Sequence, residues 1–191
     1  MKKLSGLLFL VSLFSFNVKA QDKAPWIYFD LGDTVINTSD MKHLKYMHGA
    51  REYMDELKRE GFRIGIITNI PEAWGMDYDE KLLTLKKAIQ EGWDESEPFD
   101  WGIYDEIILP LKNSEMKPAP TLFLKAINRA GACPSAYIGE SPKEIAAASQ
   151  LGMAAKLYNE KDSDVYIPVS RLRSFIAQNY HRDYDLDCLS E

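Results

Sequence analysis

The chain has 191 residues, 46% hydrophobic, 27% charged and 12% aromatic, with 29 acidic against 23 basic side chains and a formal net charge of −6. That length and apolar content fit one domain of ordinary size with a core that needs no staples, and no low-complexity linker divides it. An acidic balance without a basic cluster excludes nucleic acid and anionic membrane as default partners.

The chain opens with Met1-Lys2-Lys3, a short apolar run from Leu7 to Phe14, and Val18-Lys19-Ala20 before Gln21. A basic start, a brief apolar core and small residues at a cut site read as a secretory signal peptide over 1–20. The run is too short to span a bilayer, and the Lys-Lys start fits a bacterial export signal, so the expected location is the periplasm. Losing Lys2, Lys3 and Lys19 takes the charge from −6 to about −9 for a mature chain of 21–191. Cys133 and Cys188 are the only cysteines. In an oxidising compartment they form either one disulfide that pins the tail or two buried thiols, and spacing alone does not choose.

The mature chain alternates strand and helix signals. Trp26-Ile27-Tyr28-Phe29 is an apolar run suited to a strand covered on both faces, and it leads into the acidic turn Asp30-Leu31-Gly32-Asp33-Thr34. A polar linker through about Lys45 precedes a helix over 49–58, with Ala50, Tyr53, Met54 and Leu57 on one face and Gly61 at its end. Arg63–Asn69 reads as a second buried strand. An aromatic-rich insert at about 71–105 carries one helix around 79–91. Strands at 107–110, 136–139 and 154–158 then alternate with helices at 120–130, 143–151 and 169–179. Strands separated by helices give right-handed crossovers and a parallel sheet, so the expected class is α/β.

In open parallel sheets ligands gather beyond the carboxyl ends of the strands. There the sequence supplies Asp30 after the first strand, Thr68 and Asn69 after the second, and Glu140 and Glu144 after the fourth, with Lys117 just before a helix. Such a set suits phosphoryl transfer. Carboxylates hold Mg²⁺, a hydroxyl and a main-chain N–H bind phosphate oxygens, Lys neutralises them, and an uncrowded Asp attacks phosphorus. His43, His48 and His181 share no metal-ligand spacing.

Four segments together resemble the haloacid dehalogenase-like (HAD) hydrolase superfamily across nearly all of the mature chain. They are Asp30-Leu31-Gly32-Asp33-Thr34, Ile66-Ile67-Thr68-Asn69, Lys117-Pro118 before a helix, and Gly139-Glu140-Ser141-Pro142-Lys143-Glu144. The resemblance implies a doubly wound three-layer α/β/α sandwich with a central, mainly parallel sheet. It also implies Asp30 as the nucleophile that forms an aspartyl-phosphate, Thr68 and Lys117 as phosphate ligands, and a Mg²⁺ site made of Asp30, the Gly32 carbonyl, Glu140 and Glu144. The substrate class it implies is a small phosphorylated compound.

Two departures bear on activity. The family's phosphatases place a general acid–base Asp two residues after the nucleophile, where this chain has Gly32. Both acidic positions of the last motif are Glu, each longer than Asp by about 1.5 Å, which admits a water-mediated Mg²⁺ contact or a larger divalent ion such as Ca²⁺. Only one helix fits between Thr34 and the second strand, so the site carries at most a small cap, and Trp74 is the aromatic residue closest to Thr68 for substrate contact. Two classes follow: a Mg²⁺-dependent phosphomonoester phosphatase acting through Asp30, or a degenerate relative that binds phosphate, metal or a protein without turnover.

Overall fold

A computed structural model describes residues 23–161 and 165–190; the expected signal segment 1–20 lies outside them. Five strands form one parallel sheet: β1 (Trp26–Phe29), β4 (Arg63–Ile67), β5 (Glu106–Ile108), β6 (Ser135–Gly139) and β7 (Ala154–Leu157), in the order β5-β4-β1-β6-β7. This is the α/β class that the alternating pattern predicts. A separate antiparallel ribbon pairs β2 (Ile36–Asn37) with β3 (Lys45–Tyr46).

The sheet is built from apolar strands because both of its faces are covered. Ile27, Phe29, Ile64, Ile66, Ala136 and Ile138 point into one core, which lies under α1 (Ala50–Arg59) and α5 (Val169–Asn179). The alternate residues Trp26, Tyr28, Ile67 and Tyr137 point into the other, under α3 (Pro120–Ala130) and α4 (Pro142–Gln150). Gly65 is required by this packing, since a Cβ there would sit 2.3 Å from Cε1 of Tyr28 on the neighbouring strand.

From β1 the chain winds outward through β4 to β5, then returns to the other side of β1 to form β6 and β7. The order therefore reverses at the β1/β6 boundary, the kind of switch point beyond whose strand ends ligands bind in open α/β sheets. Asp30 directly follows β1, and its N–H donates to the Ile138 carbonyl of β6 at 2.9 Å. The nucleophile candidate is thereby fixed at the switch point by a sheet hydrogen bond.

The insert adds α2 (Tyr78–Gly92), whose first turn is capped by Asp77 accepting from Glu80 N–H at 3.0 Å. Its aromatics form one packed group: Phe99 meets Tyr46, Trp93, Trp101 and Tyr104 at centroid distances of 4.6–5.9 Å. That group fastens the insert to the β2–β3 ribbon. The ribbon lies where the sequence reads as polar linker. Its strands of two residues are too short to show a period, and side-chain turns of Asn37 onto Ser39 N–H and Asp40 onto Lys42 N–H shape it. Cys133 and Cys188 form a disulfide with Cα atoms 5.5 Å apart, which resolves the cysteine alternatives and ties the C-terminal turn to the segment just before β6. No helix among the described residues is long and apolar enough to cross a membrane.

Candidate active site

Asp30, Lys117 and Glu144 come together beyond the carboxyl ends of β1 and β6, Thr68 follows the neighbouring strand β4, and all four are buried, while Glu140 is exposed. Lys117 is the hub. Its Nζ lies 2.9 Å from Asp30 Oδ1, 2.8 Å from Glu144 Oε2 and 2.8 Å from the Tyr137 hydroxyl, and its side chain has no solvent exposure. An ammonium carries three hydrogens, so these three acceptors satisfy it completely.

Asn69 sets the backbone of that lysine. Its side-chain Nδ2 donates to the Lys117 carbonyl at 2.9 Å, and its Oδ1 accepts from the Lys117 N–H at 2.7 Å. This two-point clasp joins the loop after β4 to the loop before α3, a positioning role beyond the phosphate contact expected of Asn69. Thr68 is held by its N–H donating to the Ile108 carbonyl at 3.3 Å.

The nucleophile candidate is poised by opposing influences. One Asp30 oxygen accepts from Leu31 N–H at 2.7 Å. Burial pushes its carboxyl up to about 6, with the Lys117 ammonium pulling the other way and the Glu140 charge adding to the rise. The Glu140 carboxylate that adds to this rise is itself exposed to solvent. Glu140 is steadied by Thr34 Oγ1, which donates to its Oε2 at 3.2 Å.

Of the expected metal ligands, Asp30 and Glu140 follow the paired strands β1 and β6, close enough for the Glu140 charge to raise the Asp30 carboxyl, and Gly32 lies in the β1 loop. Glu144 is turned aside: its Oε2 accepts from Lys117 and, at 2.7 Å, from the Tyr137 hydroxyl. Among the described residues, no three or more His, Cys, Asp or Glu side chains converge as a cage. A donor set of two carboxylates and a main-chain carbonyl suits a hard cation that keeps several waters, as Mg²⁺ does, better than one that needs a full protein shell.

The Asp33 side chain is engaged within its own loop. Its Oδ1 accepts from both Thr38 N–H and Thr38 Oγ1 at 2.8 Å, so its side chain closes the loop on itself, with its backbone at φ 51°. Trp74 ends the one-turn 3₁₀ helix Glu72–Trp74 and is half-buried against the larger core. Tyr137 is the site residue that the motifs do not reveal. The available signal is a phenol inside a strand buried on both faces, because a buried hydroxyl requires a partner.

The sheet order and the layered cores define a doubly wound α/β fold, and its likeness to a solved HAD-superfamily hydrolase makes that fold HAD-like. No protein-family model matches the chain, and no curated protein does. Solved structures match instead. A HAD-superfamily hydrolase from Ehrlichia chaffeensis aligns over 82% of this chain and 96% of its own at 17% identity, with a TM-score of 0.52. The D,D-heptose 1.7-bisphosphate phosphatase of B. bronchiseptica, solved with magnesium and phosphate, aligns over 70% of this chain and 79% of its own at 18% identity and a TM-score of 0.50. The chain also spans 48% of the length of a dehalogenase solved with an intermediate complex, at 20% identity and a TM-score of 0.45. The first two of these likenesses establish shared architecture alone, and activity has to be argued from the site.

Proposed function

We propose that the mature chain is an exported, Mg²⁺-dependent phosphomonoester phosphatase acting through Asp30. The observation that carries this reading is a buried carboxylate at the topological switch point, 2.9 Å from a fully enclosed lysine ammonium. An Asp that only capped a turn would have no need of a buried cation.

In the reaction, the phosphoryl group enters the site and is held by the Lys117 ammonium, the Thr68 hydroxyl and the Asn69 N–H. An Asp30 oxygen attacks phosphorus; the bond from phosphorus to the ester oxygen breaks, and that oxygen leaves with the electron pair and takes a proton from water. Water then attacks the aspartyl-phosphate, freeing inorganic phosphate and restoring Asp30. Asp30, Glu140 and the Gly32 carbonyl would hold Mg²⁺, which when bound offsets the negative charge of the phosphate, while Glu144 keeps to Lys117. Trp74, which follows Thr68 closely in sequence, is the aromatic surface we assign to the organic part of the substrate.

A second reading is a protein that keeps the fold and binds phosphate, metal or a protein without turnover. It is favoured by Gly32 together with an Asp33 side chain committed to Thr38. Purified mature protein with Mg²⁺ and p-nitrophenyl phosphate separates the two. Turnover that disappears in Asp30→Asn supports the phosphatase. Absence of turnover with any divalent metal supports the binding protein.

A further inference from the structure

Tyr137 lies on β6, and its ring packs edge-on against Phe123 of α3, with centroids 5.0 Å apart. A core tyrosine would ordinarily satisfy its hydroxyl on a nearby carbonyl. Here the hydroxyl stands between two buried charges, donating to Glu144 Oε2 at 2.7 Å and accepting from Lys117 Nζ at 2.8 Å. The direction is fixed by chemistry, because an ammonium cannot accept and a carboxylate beside it does not donate. The backbone makes room for this. A Cβ on Gly139 would lie 2.9 Å from the Tyr137 oxygen, so only glycine at that position lets the hydroxyl reach the pair.

We propose that Tyr137 is the positioning residue of the site, its hydroxyl fixing the Lys117 ammonium between Asp30 and Glu144. The reading rests on Lys117 being the phosphate ligand. With one hydrogen given to Tyr137 and one to Glu144, the third is directed at Asp30, where a phosphate oxygen has to arrive. When Lys117 turns a hydrogen to the substrate, Glu144 keeps the Tyr137 donor and is not left as a bare buried anion, a state that would oppose the change. Asn69 Nδ2, 3.5 Å from Glu144 Oε1, stands on the other side of the same carboxylate.

The test uses mature protein labelled with ¹⁵N at lysine Nζ and follows hydrogen exchange of the ammonium groups by NMR, with the Lys117 signal assigned by its loss in Lys117→Met. Lys81 is an internal control: it is also fully buried, but its Nζ donates to the Pro71 carbonyl at 3.0 Å and not to Tyr137. In native protein Lys117 gives a protected signal. In Tyr137→Phe, which keeps the ring and deletes one oxygen, its exchange accelerates about tenfold or more, the scale of one hydrogen bond to a charged group, while Lys81 is unchanged. The KM for p-nitrophenyl phosphate rises by a similar factor, which a change in the folded fraction alone would not produce. A native Lys117 signal that is absent, or one equally protected in the variant, overturns the proposal. Native protein without turnover refutes the phosphatase reading instead, and the exchange measurement still decides the role of Tyr137.

Discussion

Gly32→Asp probes the first of the two departures from a complete phosphoryl-transfer set, the missing acid–base carboxyl. The backbone accepts the change. A Cβ at this position would lie 3.4 Å from Thr38 Cγ2 and Oγ1, at ordinary contact, and Gly32 is not among the residues with positive φ. The new carboxylate would enter the loop that carries Asp30, where Asp33 is already occupied by Thr38. A positioned general acid and base is worth about 10²–10⁴ in rate, or about 3–5 kcal/mol of barrier. The gain depends on the leaving group. A nitrophenolate leaves without a proton, whereas an alkoxide leaves only when protonated, so kcat for an alkyl phosphate should rise far more than kcat for p-nitrophenyl phosphate. Steady-state kinetics over a series of esters of graded leaving-group acidity therefore gives a steep dependence in the native protein and a shallow one in the variant. Equal slopes, with melting temperatures within a degree or so of each other, would refute the argument that the native site lacks its proton donor.

Four other outcomes follow from the structure. Asp30 must be ionised to attack, and its pKa is raised to about 6, so kcat/KM at low Mg²⁺ should climb through that pH and level off above it, with the limb moving to lower pH as Mg²⁺ increases; a limb near pH 4 at low Mg²⁺ would contradict the burial argument. By the same sign, the folded chain binds this proton more tightly than the unfolded one, so the contribution of Asp30 to metal-free stability falls as pH rises from its ordinary 3.8 to about 6. Glu140→Gln keeps an acceptor for Thr34 but removes one of two neighbouring carboxylates. It should raise the Mg²⁺ concentration needed for half-maximal activity about tenfold or more, and should lower the metal-free Asp30 limb, since the Glu140 charge helps raise it; Mg²⁺ titration followed by intrinsic fluorescence reads the first without turnover. Replacing Cys133 and Cys188 by Ser opens a link across 55 positions of sequence, with a loop-closure loss of about 4 kcal/mol, seen as a lower chemical-denaturation midpoint; an unchanged midpoint would mean that the tail is held by packing alone.

The extent to which this chain could be read from sequence follows from how local each feature is. Strands buried on both faces announce themselves as apolar runs, and the residue that ends each run is fixed in space by the parallel sheet, so Asp30, Thr68 and Glu140 are legible as a set. The same rule says nothing about where a flexible side chain turns. Glu140 and Glu144 look alike in sequence, yet one lies close to Asp30 while the other is drawn to Lys117 by the Tyr137 hydroxyl. That choice depends on Gly139 leaving space beside a phenol two residues earlier, a through-space relation that no motif records. The cysteine pair was equally closed to spacing arguments, because a bridge is decided by a 5.5 Å Cα separation that only the folded tail creates. The β2–β3 ribbon is hidden in the sequence for the opposite reason: its strands are too short to carry a period, and what holds it is side-chain turns and the aromatic group around Phe99. The parts of the site that a sequence conceals here are thus the ones in which one side chain is positioned by another, and a buried tyrosine on a strand that ends in the site is the cue to look for such a pair.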